Sequence, residues 1–130
     1  MRRRMIPSLL TVLLLAGCAA TPGTRHEAAY RHISMSEALE IMEHESRYII
    51  LDVRRPDEFA AGHIPNAVNV PNETIGDNEI AELPDKDQLI LVYCRSGRRS
   101  KESSEKLVKL GYTNIVEFGG INDWTGEIET

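Results

Sequence analysis

Blocks of apolar residues separated by short polar segments predict strands alternating with helices along most of this chain. The two strongest internal blocks are residues 48–53 (YIILDV) and 88–94 (QLILVYC). Both are rich in aliphatic side chains with little polar alternation, as expected for strands that are covered on both faces. Shorter strands are predicted at residues 67–71 and 114–118.

Helical patterns occupy the intervals between these strands. Ser34 followed by Glu37 fits a capping box at a helix start. Pro56 favours the first turn of a second, short helix. A third helix is predicted over residues 98–110, with Gly111 as its stop. Strands and helices that alternate at this spacing predict an α/β fold with a parallel, twisted sheet covered on both faces.

Two segments have weaker patterns. Residues 72–87 are acidic, and a short helix is expected around Ile80 to Leu83. Residues 119–124 (GGINDW) are expected to lead into a terminal helix. In a parallel sheet the functional site lies at the carboxyl ends of the strands, and both Asp52 and Cys94 end predicted strands.

The first residues form a unit separate from this pattern. A charged opening, MRRRM, precedes an eleven-residue apolar run over residues 6–16, which is typical of a signal peptide and shorter than the ~20 residues of a spanning helix. The run ends at LAGC, which resembles the lipobox of bacterial lipoproteins, so Cys18 is the expected lipidation site. An ordinary cleaved signal with an incidental cysteine, or an uncleaved anchor, is the alternative.

This interpretation divides the chain into three parts. Residues 1–17 are the expected lipoprotein signal peptide, residues 18–30 the lipidated N-terminus and tether, and residues 31–130 the folded domain. Multiple acyl chains would hold the domain stably on a membrane. We therefore expect it in the bacterial cell envelope, lipid-anchored and facing outward, on the periplasmic side in a Gram-negative cell.

Charge argues against a nucleic-acid partner. Loss of the three arginines at positions 2–4 lowers the Lys plus Arg count from 15 to 12 against 20 acidic residues, so the mature charge is about −8. No basic stripe offsets that charge.

The second cysteine, Cys94, lies in a cationic loop, YCRSGRRS. With Cys18 assigned to lipid, it is an unpaired thiol in an exported protein, which points to a reactive group, although many free cysteines are simply small buried hydrophobes. Gly97 permits a tight curl before the next helix, and such a loop turns its N–H groups towards an anion. These amides, the helix dipole and three arginines would favour the thiolate. The sequence therefore predicts a nucleophilic thiolate. It contains neither a metal-ligand cluster nor a nucleotide-binding loop, so no metal and no cofactor is expected.

Three ordered motifs resemble those of the single-domain rhodaneses, over nearly the whole mature domain. They are residues 52–71 (DVRRPDEFAAGHIPNAVNVP), 93–100 (YCRSGRRS) and 119–124 (GGINDW). The resemblance implies a rhodanese-like fold, with a five-stranded parallel sheet flanked by helices on both faces. It also implies a cysteine that takes sulfane sulfur from a donor, holds it as a persulfide and passes it to cyanide or a thiol.

The resemblance assigns roles by residue. Cys94 would be the nucleophile and persulfide carrier. The loop that binds the outer sulfur and the substrate would consist of Arg95, Ser96, Gly97, Arg98, Arg99 and Ser100. The supporting scaffold would consist of Asp52, Arg54, Glu58 and His63. We expect an Arg54–Glu58 pair to brace the turn after the first motif, and Trp124 to pack in the core.

Two other functions stay open. Cysteine phosphatases, including those of rhodanese-like fold and related arsenate reductases, carry an arginine six places after the cysteine. That position is Ser100 here, and Arg99 comes one place early, so the shorter loop fits a sulfur atom better than a phosphate. A non-catalytic domain that carries sulfur or binds a partner is the other alternative. Within the family, Arg95 directly after the cysteine resembles the thiosulfate-type loop, whereas Ser96 resembles the small uncharged residues of the mercaptopyruvate type. A small anionic donor such as thiosulfate is expected.

Overall fold

The computed structural model describes residue 17 and residues 29–130. Cys18, most of the expected signal peptide and most of the tether lie outside those residues. Within the described range the chain runs in this order: β1 (Arg31–His32), α1 (Met35–His44), β2 (Tyr48–Asp52), α2 (Pro56–Ala61), β3 (Val68–Asn69), β4 (Leu89–Cys94), α3 (Arg98–Lys109) and β5 (Ile115–Gly120). Two short 3₁₀ turns lie at Asn72–Thr74 and Ile121–Asp123.

The five strands form one sheet in the order β1-β5-β4-β2-β3, and every neighbouring pair is parallel. This confirms the predicted α/β fold with a five-stranded parallel sheet. The central strand β4 pairs with β2 over five residues and with β5 on its other side. Its carboxyl end, which carries Cys94, therefore lies in the middle of the sheet edge.

Side chains of the central strand alternate between two apolar clusters, one on each face of the sheet. Ile90, Val92 and Cys94 belong to the cluster that also contains Leu107 of α3. Leu91 and Tyr93 belong to the other cluster, with Ala38 of α1. Since successive strand residues point to opposite faces, the thiol of Cys94 lies on the same face as α3.

Local signals place the helix ends as the sequence predicts. Ser34 is the N-cap of α1, and both halves of its capping box with Glu37 are formed. Pro56 occupies the first turn of α2, which ends before Gly62. In the described part of the chain no helix is both long and apolar enough to cross a membrane.

Two expected helices are absent from the described residues. Residues 80–83 form one turn, closed by a hydrogen bond of 3.0 Å from Leu83 N to Ile80 O. Both side chains are buried, and Pro84 disfavours helical geometry at the residue before it. The segment is therefore fixed by burial of its ends and stops after one turn.

The predicted terminal helix is the second correction. The chain makes one 3₁₀ turn at Ile121–Asp123 and then runs extended. His63 and Glu129 exchange backbone hydrogen bonds of 2.9 Å in an antiparallel bridge, and the indole N–H of Trp124 donates to Glu127 O at 2.9 Å. These contacts hold the C-terminal residues in an extended conformation.

Candidate active site

Cys94 is a nearly fully buried thiol at the carboxyl end of the central strand. Three residues later, Gly97 is the N-cap of α3 with φ +118°, a left-handed conformation that glycine adopts without steric cost. The resulting curl directs the Gly97 N–H at the sulfur, with an N–Sγ distance of 3.0 Å. The loop therefore directs the backbone N–H of Gly97 at the sulfur.

The surroundings of Cys94 favour its charged form. Burial alone would raise the pKa of the Cys94 thiol, but hydrogen bonds from Ser100, Gly97 and Ser96 outweigh burial and hold that pKa below its ordinary value. Ser100 Oγ lies 3.5 Å from Sγ. Because the thiolate is the nucleophilic form of cysteine, the lowered pKa makes a larger fraction of the thiol reactive at neutral pH.

Gly120, the last residue of β5, packs directly against the backbone of the loop. A Cβ built on Gly120 would lie 2.0 Å from the carbonyl oxygen of Arg95, so a side chain cannot fit there without moving the loop. The same oxygen accepts a hydrogen bond from Asn122 N at 3.2 Å. The third sequence motif thus fixes the position of the backbone that follows Cys94.

The three arginines of the loop have different environments. Arg99 donates to both carboxylate oxygens of Glu58, at 2.7 and 3.0 Å, and this pair joins α3 to α2. Arg98 pairs with Glu102 on the exposed face of α3 at 2.9 Å. Arg95 is exposed and makes no ion pair with any described residue. Arg95 and Arg98 are therefore the two loop arginines whose side chains are exposed to solvent, and of these only Arg98 is paired with a described carboxylate.

The expected Arg54–Glu58 pair is wrong. Arg54 instead folds back onto Asp52, two residues earlier, with Nη2–Oδ2 and Nε–Oδ1 distances of 2.7 and 3.0 Å. Tyr93 donates its hydroxyl proton to the same carboxylate at 2.6 Å. Glu58 lies on α2, where Arg99 reaches it. Asp52 and Arg54 are buried scaffold residues, and Glu58 contacts the active loop through Arg99.

His63 supports the fold away from the thiol. Its ring stacks on Phe59 with centroids 3.8 Å apart, Nδ1 lies 2.9 Å from the Phe59 carbonyl oxygen, and Nε2 faces Glu129 at 3.4 Å. Trp124 is half-buried against the apolar cluster on the α1 face. The expectation that both residues are structural fits these contacts.

Glu117 is a site residue that the sequence analysis missed. It is completely buried on β5. Its Oε1 accepts hydrogen bonds from Ser100 Oγ at 2.7 Å and from Gly119 N at 2.8 Å, and its Oε2 contacts His32 Nδ1. The available signal was a single acidic residue inside the apolar strand at 114–118.

A buried thiol of lowered pKa thus lies in a short backbone loop at the carboxyl edge of a five-stranded parallel sheet. The family model for the Rhodanese-like domain matches residues 34–127, and the chain belongs to this family.

Relatives with sulfurtransferase names cover much of the chain. It is 34% identical over 73 residues to thiosulfate sulfurtransferase PspE of Escherichia coli (strain K12), which is 56% of this chain and 70% of that protein. It is 31% identical over 97 residues to thiosulfate sulfurtransferase GlpE of Pseudoalteromonas translucida (strain TAC 125), which is 74% of this chain and 90% of that protein. A solved rhodanese-like domain protein from Staphylococcus aureus superimposes with a TM-score of 0.66 at 31% identity, covering 76% of this chain and 96% of that one.

Proposed function

We propose that this protein is a sulfurtransferase that moves sulfane sulfur from thiosulfate to cyanide or a thiol through a persulfide on Cys94. The observation that carries the proposal is the Cys94 sulfur itself, buried in the loop and 3.0 Å from the Gly97 N–H. Two relatives named thiosulfate sulfurtransferase support the choice of donor.

The reaction takes place in two displacements at sulfur. The Cys94 thiolate attacks the sulfane sulfur of thiosulfate, a new S–S bond forms, and sulfite leaves with the electron pair of the broken S–S bond. Cyanide or a thiolate then attacks the outer sulfur, and Cys94 leaves as the thiolate. The first N–H groups of α3 lack intrahelical partners, so they are suited to hold the outer sulfur of the persulfide.

Arg95 and Arg98 would attract the anionic donor. The mature domain carries a charge of about −8, so its overall field repels a small dianion. Exposed charges act over a Debye length of about 8 Å at physiological salt. Two exposed arginines close to the thiol can therefore reverse the field at the mouth of the site.

The contacts of Arg99 disfavour the phosphatase alternative. A cysteine phosphatase needs a guanidinium that grips the oxyanion in the loop. Here Arg99 uses one hydrogen bond on each carboxylate oxygen of Glu58, and Ser100 occupies the position of the phosphatase arginine. Arsenate reduction by the same loop is disfavoured for the same reason.

We further propose that the domain acts at the outer face of a membrane, held by a lipid on Cys18. The support for this location is the LAGC sequence after an apolar run. In this arrangement the tether would let the domain meet soluble donors in the envelope.

The proposal is tested with the full chain and two cysteine variants. Thiocyanate formation from thiosulfate and cyanide should be lost in Cys94→Ser, whereas Cys18→Ser should release the protein from the membrane and keep its turnover. Sulfur transfer by Cys94→Ser would refute the mechanism. If Cys94 takes up one sulfur atom without turnover, the protein is a sulfur carrier. If the wild type hydrolyses aryl phosphates, it is a phosphatase.

A further inference from the structure

The buried carboxylate of Glu117 is joined to the reactive sulfur by one hydroxyl group. Ser100 Oγ lies 2.7 Å from Glu117 Oε1 and 3.5 Å from Cys94 Sγ. On the other side of the carboxylate, Oε2 contacts His32 Nδ1. Contacts therefore run without a break from His32 on the edge strand β1, through β5 and α3, to the thiol at the end of β4.

The Ser100 hydroxyl has one proton and several acceptors. Carbonyl oxygens of Gly97 and Gly119 lie 2.9 and 3.3 Å from Oγ, but the Glu117 carboxylate is closer, and bonds to ionised acceptors are the stronger ones. While Cys94 is a thiol, no conflict arises, because S–H donates to Oγ and O–H donates to Glu117. Once the thiol proton has left to solvent, the sulfur and the carboxylate both require the same hydroxyl proton.

His32 can change the outcome of this competition. Its side chain is 58% exposed, whereas the carboxylate of Glu117 that it contacts is fully buried. Protonated His32 offsets the charge of Glu117, which weakens the hold of the carboxylate on the Ser100 proton and lowers its repulsion of the thiolate. Neutral His32 leaves the buried carboxylate uncompensated.

We propose that Glu117, paired with His32, is a positioning residue for the Cys94 sulfur: it decides whether the Ser100 hydroxyl donates to that sulfur, and so links thiolate formation to the protonation state of His32. The linkage is reciprocal, since the thiolate must favour protonated His32 as much as protonated His32 favours the thiolate. The inference concerns the same thiol as the proposed function.

Other ionisable groups, on several elements, interact with the residues of the contact series that runs from His32 to Cys94. Glu117 and Glu105 face the phenol of Tyr30, His32 and Arg31 face Glu37 on α1, and Cys94 faces Arg99. Among these groups, Glu105 is an exposed carboxylate on α3 that makes no hydrogen bond with Ser100 in the described structure. Glu105→Gln therefore removes one negative charge from α3 without touching the contacts in question, and it serves as the matched control.

The test titrates the Cys94 thiol in the full chain. The rate of alkylation by iodoacetamide is measured against pH, and Cys94 is followed in its own tryptic peptide, so that Cys18 does not contribute. Glu117→Gln should lower the midpoint of the Cys94 titration by about one pH unit. At a pH below the midpoint, alkylation should then be about tenfold faster than in the wild type. His32→Asn, which keeps an N–H and loses the charge, should raise the midpoint. The double variant should match Glu117→Gln, and Glu105→Gln should match the wild type.

Three results would overturn the inference. Glu117→Gln and His32→Asn could both keep the wild-type midpoint, whatever they do to the melting temperature, and Glu117 would then be purely structural. His32→Asn could shift the midpoint equally with and without Glu117, and His32 would then act without the carboxylate. If Glu117→Gln fails to fold, an unchanged midpoint in His32→Asn is by itself enough to overturn the inference. Since no sulfur donor enters this titration, its outcome is independent of whether the protein transfers sulfur.

Discussion

Replacing Gly120 by alanine would place a methyl group against the backbone of the loop that carries Cys94. The new Cβ would lie 2.0 Å from Arg95 O and 2.3 Å from Arg95 C. Ordinary contacts begin near 3.4 Å, so the Arg95 carbonyl must retreat by about 1.4 Å or β5 must move by the same amount. Gly120 itself has an extended backbone with φ −145°, which alanine adopts readily, so the predicted effect is steric.

A displacement of that size should affect activity more than stability. Overpacking typically costs about 1–3 kcal/mol, which leaves most domains folded, whereas a 1 Å misplacement at a reacting centre costs about 100-fold in rate. We expect Gly120→Ala to lose about 100-fold in thiocyanate formation per folded molecule. The Cys94 thiol pKa should rise towards its ordinary value, because the Gly97 N–H moves away from the sulfur.

Gly111→Ala is the control for this experiment. Gly111 has φ +95° and nothing within 4 Å of its Cβ position, so alanine there should cost about 1–2 kcal/mol of backbone strain and leave specific activity unchanged. The assay measures thiosulfate:cyanide turnover and urea unfolding on both variants. Near wild-type turnover in Gly120→Ala, with unfolding shifted as in the control, would refute the claim that the β5 glycines fix the loop.

Three further predictions concern the charged residues. Arg95→Gln should raise the KM for thiosulfate several-fold with little change in kcat, and added salt should weaken wild-type activity more than that of the variant; equal salt dependence would contradict this. Glu58→Gln should lower the free energy of unfolding by about 1–2 kcal/mol, because Arg99 loses a charged double hydrogen bond. The Arg99 hydrogen bond lowers the pKa of Glu58, so this contribution is complete above its ordinary value of about 4.3 and is lost as the pH falls through the lowered value; unfolding curves at pH 7 and below pH 4 should show the two proteins converging in acid. Asp52→Asn should lower the free energy of unfolding by about 3–5 kcal/mol, because it leaves the buried guanidinium of Arg54 without its counter-charge. A loss of less than about 1 kcal/mol, measured by urea unfolding at pH 7, would contradict that role.

The sequence could predict the sheet and the loop because both depend on local signals. Apolar runs located β2 and β4 to within a residue or so, and the capping box located the start of α1. The place of Cys94 followed from a strand, a glycine and a helix in immediate succession. The family motifs also indicate that residues 119–124 belong to the site. The close approach of Gly120 to Arg95 is seen only in the fold, where β5 lies beside β4.

Contacts between distant segments could not be predicted in the same way. The sequence pairs Glu58 with its neighbour Arg54, whereas in the fold the side chain of Arg99, at the start of α3, reaches Glu58 on α2. Glu117 contacts His32, which is 85 residues away in the sequence. The sequence alone shows only one acidic residue within a short apolar strand and does not reveal its partner. Such pairings depend on which elements become neighbours in the fold.

Mass spectrometry of the thiosulfate-treated protein tests the central claim most directly. The full chain is incubated with thiosulfate, digested without reductant, and compared with an untreated sample and with Cys94→Ser. We predict that the tryptic peptide containing Cys94 gains the mass of one sulfur atom, and that cyanide removes it with formation of thiocyanate. A Cys94 peptide that never gains sulfur, in a protein that still forms thiocyanate, would contradict the persulfide mechanism.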